Sequence, residues 1–314
     1  MSPQNYRISG PYTHENLTLF LIHGSDASDT AHYVTLKNAL ADGKVVVHET
    51  GSVGELLIEN LLEDKDIYIQ AGEILRGGRQ DRTIGVDVVV PAKTKIPFPT
   101  FCVERGRWGQ RPGEAVHWFS SSEHYLASKR LKLATKLYMS QPLVWQEVAR
   151  TQDKLSHSTG GSVHSTRSPS SLELTMEHEK IVRRLEDYTQ KFQSLVAEHP
   201  DAVGFAFAIN GRLNSAEIYA SHLLFANLWP KLIKSAAVEA VAEGVTQATK
   251  SVPTEGEVRT MLSDAGNASA ESRHVTDRIT LRTRRTPKTI LFDTEDSALP
   301  ATPLHRHLIW NPDE

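Results

Sequence analysis

The stretch GEILRGGRQDR concentrates groups that can hold an anion. Paired glycines at Gly77 and Gly78 allow positive φ and a close approach of the backbone to a bound group. Exposed N–H groups in such a turn can form an anion-binding nest. Arg76, Arg79 and Arg82 supply charge and bidentate donors suited to phosphate or carboxylate. Glu73 and Gln80 can accept hydrogen bonds from hydroxyl or amide groups. The same residues also fit a bulged hairpin whose arginines face solvent.

A second run, CVERGRWGQR, combines a carboxylate, guanidinium groups and an indole. An aromatic base could stack on Trp108 while Arg107 holds a phosphate. In the alternative interpretation, Trp108 anchors a loop and Arg107 stacks on it. Cys102 lies in an apolar segment, which predicts a small core residue rather than a nucleophile. Glu104 can form an acid/base pair with Glu73 only if folding brings the two together.

The composition limits the partners of the chain. A net charge of −3 over 314 residues gives no general attraction to nucleic acid or to an anionic membrane. No window approaches the roughly 18–20 apolar residues that cross a bilayer, and no apolar core follows a basic head at the start. We therefore expect a cytoplasmic protein with no nucleic acid or membrane partner.

Metal chemistry has weak support in the sequence. One cysteine excludes an intrachain disulfide and any multi-cysteine metal site. His305 and His307 would share one face of a strand, but the 14 histidines include no His-Glu-x-x-His motif. No metal ligand is assigned, and the sequence names no cofactor.

The first half of the chain is predicted to be β-rich and then helical. Within residues 1–120, short apolar or alternating runs are separated by Gly, Pro and Asp, as in an antiparallel sandwich or barrel. Pro97 and Pro99 indicate an edge or bulged strand for the last of these runs. A helical region over residues 121–155 follows, with Ser122 as a candidate cap.

The second half is predicted to be mixed. Residues 156–171 are rich in Ser, Thr, Gly and His and can bury little apolar surface, so a mobile loop is expected. Residues 172–314 are predicted as an α+β region with a hairpin at Asn210 and Gly211, a helix and C-terminal strands. Because those strands can return to the N-terminal sheet, this region can form one continuous domain with residues 1–120. The fold class is therefore α+β, with a sandwich or barrel-like N-terminal half, a helical middle and a second half of hairpin, helix and C-terminal strands.

The two runs together also carry a family resemblance. AGEILRGGRQDR, VVVPAKTKIPFP and CVERGRW, with the later GFAFAINGRLNSAEIYASHLLFANLWPKLIKSAAVEA, resemble the ARG-and-rhodanese-phosphatase-superfamily-associated protein domain over roughly residues 17–245. The motif positions are Glu73, Gly77, Gly78, Gln80, Arg82, Cys102, Glu104, Gly106, Arg107, Trp108, Asn210, Gly211 and Trp229. The family name records an association with ADP-ribosylglycohydrolases and with rhodanese or phosphatase proteins. By analogy, the resemblance implies ADP-ribose or NAD-derived ligands.

These observations favour a domain that binds or processes an anionic, nucleotide-like small molecule. The ligand-binding candidates are Gly77, Gly78, Gln80, Arg82, Arg107 and Trp108, and the catalytic candidates are Glu73 and Glu104. Two alternatives stay open. One is a non-catalytic structural or protein-partner-binding protein, in which the arginines and carboxylates form an internal network. The other is a metal-assisted hydrolase that uses Glu73 or Glu104.

Overall fold

A computed structural model of the chain describes residues 6–109, 111, 119–122, 126–246, 251–299 and 302–311. The strands in these ranges are β1 (Arg7–His14), β2 (Leu17–His23), β3 (Tyr33–Thr35), β4 (Val45–Glu49), β5 (Glu55–Asn60), β6 (Asp66–Ile69), β7 (Ile74–Gly77), β8 (Arg82–Ile84), β9 (Val88–Val90), β10 (Lys95–Cys102), β11 (Phe119–Ser121), β12 (Ala202–Ile209), β13 (Arg212–Tyr219), β14 (Ala270–His274), β15 (Ile279–Arg285), β16 (Thr289–Asp296) and β17 (His305–Trp310). The helices are α1 (Leu36–Ala41), α2 (Lys129–Lys136), α3 (Gln141–Ser158), α4 (Leu172–Met176), α5 (Glu179–Phe192), α6 (His222–Glu243) and α7 (Glu255–Asp264). The predicted α+β class is confirmed.

The contacts divide the chain into two compact units, neither of which is continuous in sequence. The first, which we call the eight-stranded unit, contains Met1–Ala31, Gln190–Pro230 and Gly244–Glu314. The second, the two-sheet unit, contains His32–Thr189 and Lys231–Glu243. These units cut across the predicted regions, because strands that pair with each other lie far apart along the chain.

One antiparallel sheet forms the eight-stranded unit, in the order β1-β2-β12-β13-β17-β16-β15-β14. The C-terminal strands thus lie in the same sheet as the N-terminal β1 and β2, as the sequence analysis allowed. Strands β12 and β13 form the predicted hairpin, and its two turn residues, Asn210 and Gly211, have φ of 49° and 73°. Two successive positive φ angles are what a two-residue hairpin turn requires.

Both faces of this sheet are covered, which explains why β12 is apolar at every position. Ala206 points to a core shared with Val258 and Met261 of α7. Phe205 points to the other face, where its ring centroid lies 5.3 Å from that of Trp229 in α6. A strand buried on both sides reads as a continuous apolar run rather than an alternating one.

The two-sheet unit contains a six-stranded sheet, β11-β7-β8-β10-β5-β4, and a three-stranded sheet, β3-β6-β9. Strand β10 was predicted to be an edge or bulged strand because of Pro97 and Pro99, yet it lies inside the sheet order. Residues 95–99 pair with β5, and residues 100–102 pair with β8. Each half of β10 therefore has a ladder on one side within the described ranges, so the missing proline N–H groups are tolerated.

Three helices of the two-sheet unit, α2, α3 and α4, begin at serine caps. Ser128, and not Ser122 as predicted, caps α2 by accepting a hydrogen bond from the backbone N–H of Leu131 at 3.4 Å. Ser122 instead donates its backbone N–H to the Ile74 carbonyl at 2.7 Å. Within the described ranges, no helix combines the length and apolar character that crossing a bilayer needs.

Residues 156–171, the predicted mobile loop, are partly helical and otherwise irregular, and most of them are at least partly exposed. The first of these residues complete α3, and the later ones form turns that lead into α4. Val163 and Ser171 are fully buried. The segment forms hydrogen bonds through its hydroxyl and backbone groups, such as the one from the Ser170 hydroxyl to the Arg105 carbonyl at 2.6 Å.

Candidate functional site

The glycine turn of the first run lies between β7 and β8, and it binds the side-chain carboxylate of Asp81 from the same chain. The backbone N–H of Gly77 donates to Asp81 Oδ1 at 3.1 Å. Gly78 has a φ of 53°, and a Cβ added to it would lie 2.3 Å from the ring of Phe119 and 2.5 Å from Glu49 Oε1. The turn thus requires glycine both for its backbone conformation and for the close approach of these neighbours.

Asp81 and Glu104 lie at the centre of a buried network with two arginines, Arg107 and Arg111. Both carboxylates are fully buried. Arg111 donates from Nη2 to Glu104 Oε2 at 2.9 Å and from Nε to Oε1 at 3.2 Å, and it also donates to Asp81. Two carboxylates and two guanidinium groups balance in charge, which is how a protein interior tolerates them.

All five N–H groups of Arg107 have hydrogen-bond acceptors within the protein. Its Nε donates to Glu104 Oε2 at 2.5 Å, and its Nη2 donates to Asp81 Oδ1 at 3.3 Å. The remaining acceptors are the carbonyl oxygens of Gly77 at 3.4 Å, Gly78 at 3.0 Å and Gly109 at 2.7 Å. A guanidinium has five N–H groups, so Arg107 has none left for an external anion.

Two further members of this region, Ser171 and Glu173, come from the start of α4. The Ser171 hydroxyl accepts from Arg111 Nη2 at 3.0 Å and lies 3.3 Å from Asp81 Oδ2. Burial raises the pKa of Asp81, and the Arg111 guanidinium opposes that rise. Burial raises the pKa of Glu173 to about 7, with a further contribution from the Asp81 charge and an opposing hydrogen bond from Ser122. A buried carboxyl that titrates near neutrality is a candidate acid or base.

Arg82 is fully buried, although the sequence analysis assigned it to the ligand. It donates to the carbonyl oxygens of Ser52 and Val53, and Nη2 lies 3.4 Å from Glu49 Oε2. Burial lowers its pKa, while Glu49 opposes that shift. Its Nε has no hydrogen-bond partner in the described part of the chain.

Gln80 is also buried, and only one of the two polar atoms of its side chain has a hydrogen-bond partner among the described residues. Its Nε2 donates to the backbone carbonyl of Arg107, which joins the two runs of the sequence. Its Oε1 has no hydrogen-bond partner among the described residues. A buried amide oxygen and a buried guanidinium N–H (Arg82 Nε) without partners are costly unless another group satisfies them.

Trp108 is the exposed part of this region, with 47% of its surface accessible. The guanidinium carbon of Arg79 lies 5.3 Å from the centre of its ring, and that of Arg82 lies 5.7 Å away. Arg79 is exposed, and its guanidinium forms no ion pair with a carboxylate that the structure describes. We call Arg79, Gln80, Arg82 and Trp108 the Trp108 patch.

Glu73 lies in a separate buried cluster. Its Oε2 accepts hydrogen bonds from Lys231 Nζ and, at 3.2 Å, from the Ser121 hydroxyl. Glu104 is bound by Arg107 and Arg111, so the two predicted catalytic carboxylates share no hydrogen-bond partner within the described ranges. The structure therefore offers no contact that would make Glu73 and Glu104 one acid/base pair.

Cys102 is a buried core residue, as predicted. Its thiol donates to the Glu104 carbonyl at 3.0 Å, and burial raises its pKa. The described residues contain no group of three or more His, Cys, Asp or Glu side chains that could hold a metal ion. His305 and His307 do share one face of β17, with ring centroids 6.3 Å apart, in the eight-stranded unit.

Asp81, Arg111 and Ser171 were not singled out from the sequence, whereas Arg79 was named there with Arg76 and Arg82 as a possible anion ligand. Asp81 and Arg79 lie inside the first run, and Arg111 ends the second, so the runs themselves contained the signal. Ser171 lies 60 positions beyond Arg111 in sequence, and only the fold brings the two together.

Comparison with known proteins extends the family resemblance. The family model for the ARG and Rhodanese-Phosphatase-superfamily-associated Protein domain, ARPP-1, matches residues 5–299. The match is longer at both ends than the predicted range of residues 17–245, so β1 and β14 to β16 also fall inside the family domain. No curated protein matches the chain, and no solved structure does.

Proposed function

The chain belongs to the ARPP-1 family, and on that basis we propose that it binds an anionic, nucleotide-like small molecule at the Trp108 patch. The observation that carries this proposal is the exposed Trp108 indole beside the Arg79 guanidinium, which no described carboxylate neutralises. An accessible aromatic face and an available cation suit a ligand that has a base and a phosphate. The family's association with ADP-ribosylglycohydrolases supports ADP-ribose or an NAD-derived compound.

In this proposal the roles differ from those assigned from sequence. Trp108 stacks on the base, and Arg79 replaces Arg107 as the phosphate ligand, because the donors of Arg107 are used internally. Arg82 Nε and Gln80 Oε1 provide one buried donor and one buried acceptor for polar groups of the ligand. Glu104 and the glycine turn hold the residues of the patch in position, and they do not contact the ligand.

The test is a calorimetric and thermal-shift titration with ADP-ribose, NAD, AMP and inorganic phosphate. Ligand at a hundredfold excess over Kd should stabilise the protein by about 2.7 kcal/mol. Arg79→Gln and Trp108→Ala should each weaken binding at least tenfold without lowering the melting temperature, because both side chains are exposed.

Arg105→Gln is the matched control. Arg105 is another exposed arginine of this unit, and its guanidinium carbon lies 5.4 Å from the ring of Trp145. Its removal should leave the affinity unchanged. An affinity that survives Arg79→Gln and Trp108→Ala, or that falls equally in Arg105→Gln, would reject the Trp108 patch as the site.

A second candidate function is a structural or partner-binding role without a small ligand. The observation that favours this function is that all five Arg107 N–H groups donate to acceptors within the protein. These hydrogen bonds join the β7–β8 turn to the loop after β10. If no nucleotide or phosphate shifts the melting temperature of the folded protein, this second function replaces the first. The chain would then be used as bait for a protein partner.

A further inference from the structure

A second group of polar side chains, in the eight-stranded unit, has the hydrogen-bonding order of a nucleophile, a base and a carboxylate. Ser9 Oγ lies 2.6 Å from His23 Nε2, and His23 Nδ1 lies 2.8 Å from Asp201 Oδ1. From this geometry we propose that Ser9, His23 and Asp201 form a nucleophilic site that hydrolyses small acyl esters. The site is independent of the Trp108 patch, which belongs to the other unit.

The sheet explains how three residues far apart in sequence come together. Arg7 is opposite His23 in the β1–β2 ladder, and Ser9 is two residues further along β1. Residues two apart on a strand share a face, so Ser9 and His23 lie on the same side of the sheet. Asp201 directly precedes β12, whose first residue, Ala202, is also opposite His23.

The burial of the three residues suits their proposed roles. His23 is fully buried between its neighbours, which fixes the orientation of its ring. Ser9 is only half-buried, so its hydroxyl can be reached by a small substrate. A histidine held by a carboxylate on one side and facing a hydroxyl on the other is the arrangement that activates a serine.

Asp201 is ionised under ordinary conditions. The hydrogen bond from His23, with a further one from Arg7, lowers the pKa of Asp201 to about 2. Arg7 Nη2 lies 2.6 Å from Asp201 Oδ2 and 2.9 Å from His23 Nδ1. The carboxylate accepts from Nδ1 when that nitrogen carries the hydrogen, and Nε2 is then free to accept the Ser9 proton. The opposite tautomer, in which Arg7 donates to Nδ1, would leave Ser9 without a base.

Tyr12 supplies a donor beside the nucleophile. Its hydroxyl lies 3.2 Å from Ser9 Oγ and 3.1 Å from His199 Nε2. His199 Nδ1 lies 2.8 Å from the Leu195 carbonyl, which fixes that ring as well. Because His199 Nδ1 donates to a carbonyl, Nε2 of the neutral ring accepts the hydrogen bond from the Tyr12 hydroxyl at rest. We assign Tyr12 the role of turning that proton toward the negative oxygen of the tetrahedral intermediate when it forms.

The proposed reaction balances without a cofactor. Ser9 Oγ forms a bond to the acyl carbon of the ester and loses its proton to His23 Nε2. The carbon–oxygen bond to the alcohol breaks, and the leaving alkoxide takes that proton. A water molecule then attacks the acyl-serine, gives a proton to Nε2 and releases the carboxylic acid, and Ser9 recovers its proton from His23. The net reaction is ester plus water to acid plus alcohol.

The decisive experiment is covalent labelling of the full chain with a small alkyl fluorophosphonate. Serine oxygen replaces fluoride on phosphorus, and mass spectrometry of the digested protein locates the adduct. We expect one adduct per chain, on the peptide that contains Ser9. Ser9→Ala should abolish labelling, and Asp201→Asn, at an exposed position, should slow it by roughly a hundredfold or more.

Thr13→Ala is the matched control, since it removes a hydroxyl from the same strand at an exposed position. It should label at the wild-type rate. Tyr12→Phe should still label at Ser9 but should hydrolyse p-nitrophenyl acetate roughly a hundredfold more slowly. Absence of a Ser9 adduct in the folded wild-type protein overturns the proposal. Labelling at an unchanged rate in Asp201→Asn also overturns it, because Ser9 would then react without the triad.

Discussion

At the scale of single residues, the partners of each arginine decide what it can do. Arg79 and Arg107 lie in the two runs that suggested an anion site, yet one is exposed and the other donates five hydrogen bonds internally. The residue types correctly indicated carboxylate and guanidinium chemistry. Asp81 and Glu104 already accept hydrogen bonds from the glycine turn and from the buried arginines. The proposed ligand site is therefore at the exposed Trp108.

Removing Arg111 should destabilise the protein strongly. Arg111→Ala leaves Asp81 and Glu104 buried with less positive charge, and the expected loss is about 3–5 kcal/mol in the free energy of unfolding. Urea denaturation measures it. Arg183→Gln, which breaks an exposed pair with Glu179, is the control and should cost less than about 1 kcal/mol. Equal losses in the two variants would show that the buried network does not stabilise the fold.

A side chain at Gly78 should be tolerated poorly. Gly78→Ala adds a Cβ at a φ of 53° that would lie 2.3 Å from the Phe119 ring, so Phe119 and Glu49 must move. We expect a loss of about 2–4 kcal/mol, from backbone strain and overpacking together. Gly54→Ala is the control, because nothing lies within 4 Å of its added Cβ. A melting temperature that is unchanged in Gly78→Ala would contradict the packing of the turn.

Glu173 should make stability depend on pH. Burial raises its pKa from 4.5 to about 7 in the folded protein. Between these values the folded protein binds a proton that the unfolded chain does not, so stability falls as pH rises through this window. Each pKa unit corresponds to about 1.4 kcal/mol, so Glu173→Gln should remove a fall of roughly 3 kcal/mol at most. Melting curves from pH 4 to 8 test this. Glu186→Gln, on the exposed face of α5, is the control. Parallel pH profiles for wild type and Glu173→Gln would contradict the prediction.

At the scale of elements, Ser171 shows how a polar segment can pack. Its hydroxyl caps α4 by accepting from the backbone N–H of Leu174 at 3.2 Å, and it also contacts Arg111 and Asp81. Ser171→Ala should therefore cost about 2–3 kcal/mol, more than the loss of a cap alone. Ser140→Ala, which removes only the cap of α3, should cost about 1 kcal/mol. Thermal unfolding that ranks the two variants in the opposite order would count against the role of Ser171 in the network.

Local elements were predictable from sequence, whereas their long-range pairing was not. Short apolar or alternating runs located β2, β4, β5 and β12, and Asn210-Gly211 located the hairpin. Strands β7 and β8 are only four and three residues long, too short for a period to stand out. The contacts of Arg111 with Ser171 and of Glu73 with Lys231 depend on tertiary folding, and no spacing rule contains them. The site was therefore predictable in its residue types but not in the pairing of its charges.

At the scale of the whole molecule, the strands after residue 270 complete the eight-stranded sheet. A chain that ends at residue 246 would lack β14 to β17 and α7, which leaves β13 unpaired on one side and uncovers one face of the sheet. We expect such a chain to lose cooperative unfolding and to aggregate. A chain that ends at Asn311 keeps all these elements and is the control. A soluble, cooperatively melting truncation at residue 246 would contradict this role of the C-terminal strands.

Several arginines of the basic stretch of residues 273–288 form ion pairs within the eight-stranded unit. Arg282 lies 2.9 Å from Glu295, and Arg284 pairs with Asp293, both across the β15–β16 ladder. Arg278 lies 2.7 Å from Asp296. Cross-strand pairs of opposite charge stabilise a sheet, which gives these arginines a structural role.

The order of strands in this sheet also determines how the protein can fold during synthesis. Strand β17 lies between β13 and β16, so the sheet is closed at its centre by a strand that is synthesised after the other described strands. The two-sheet unit has all its segments once residue 243 has emerged, but β13 must wait for residues 305–310. At ordinary translation speeds that interval lasts on the order of seconds. During it the edge of β13 lacks its strand partner, and unpaired strand edges make a nascent chain prone to aggregation.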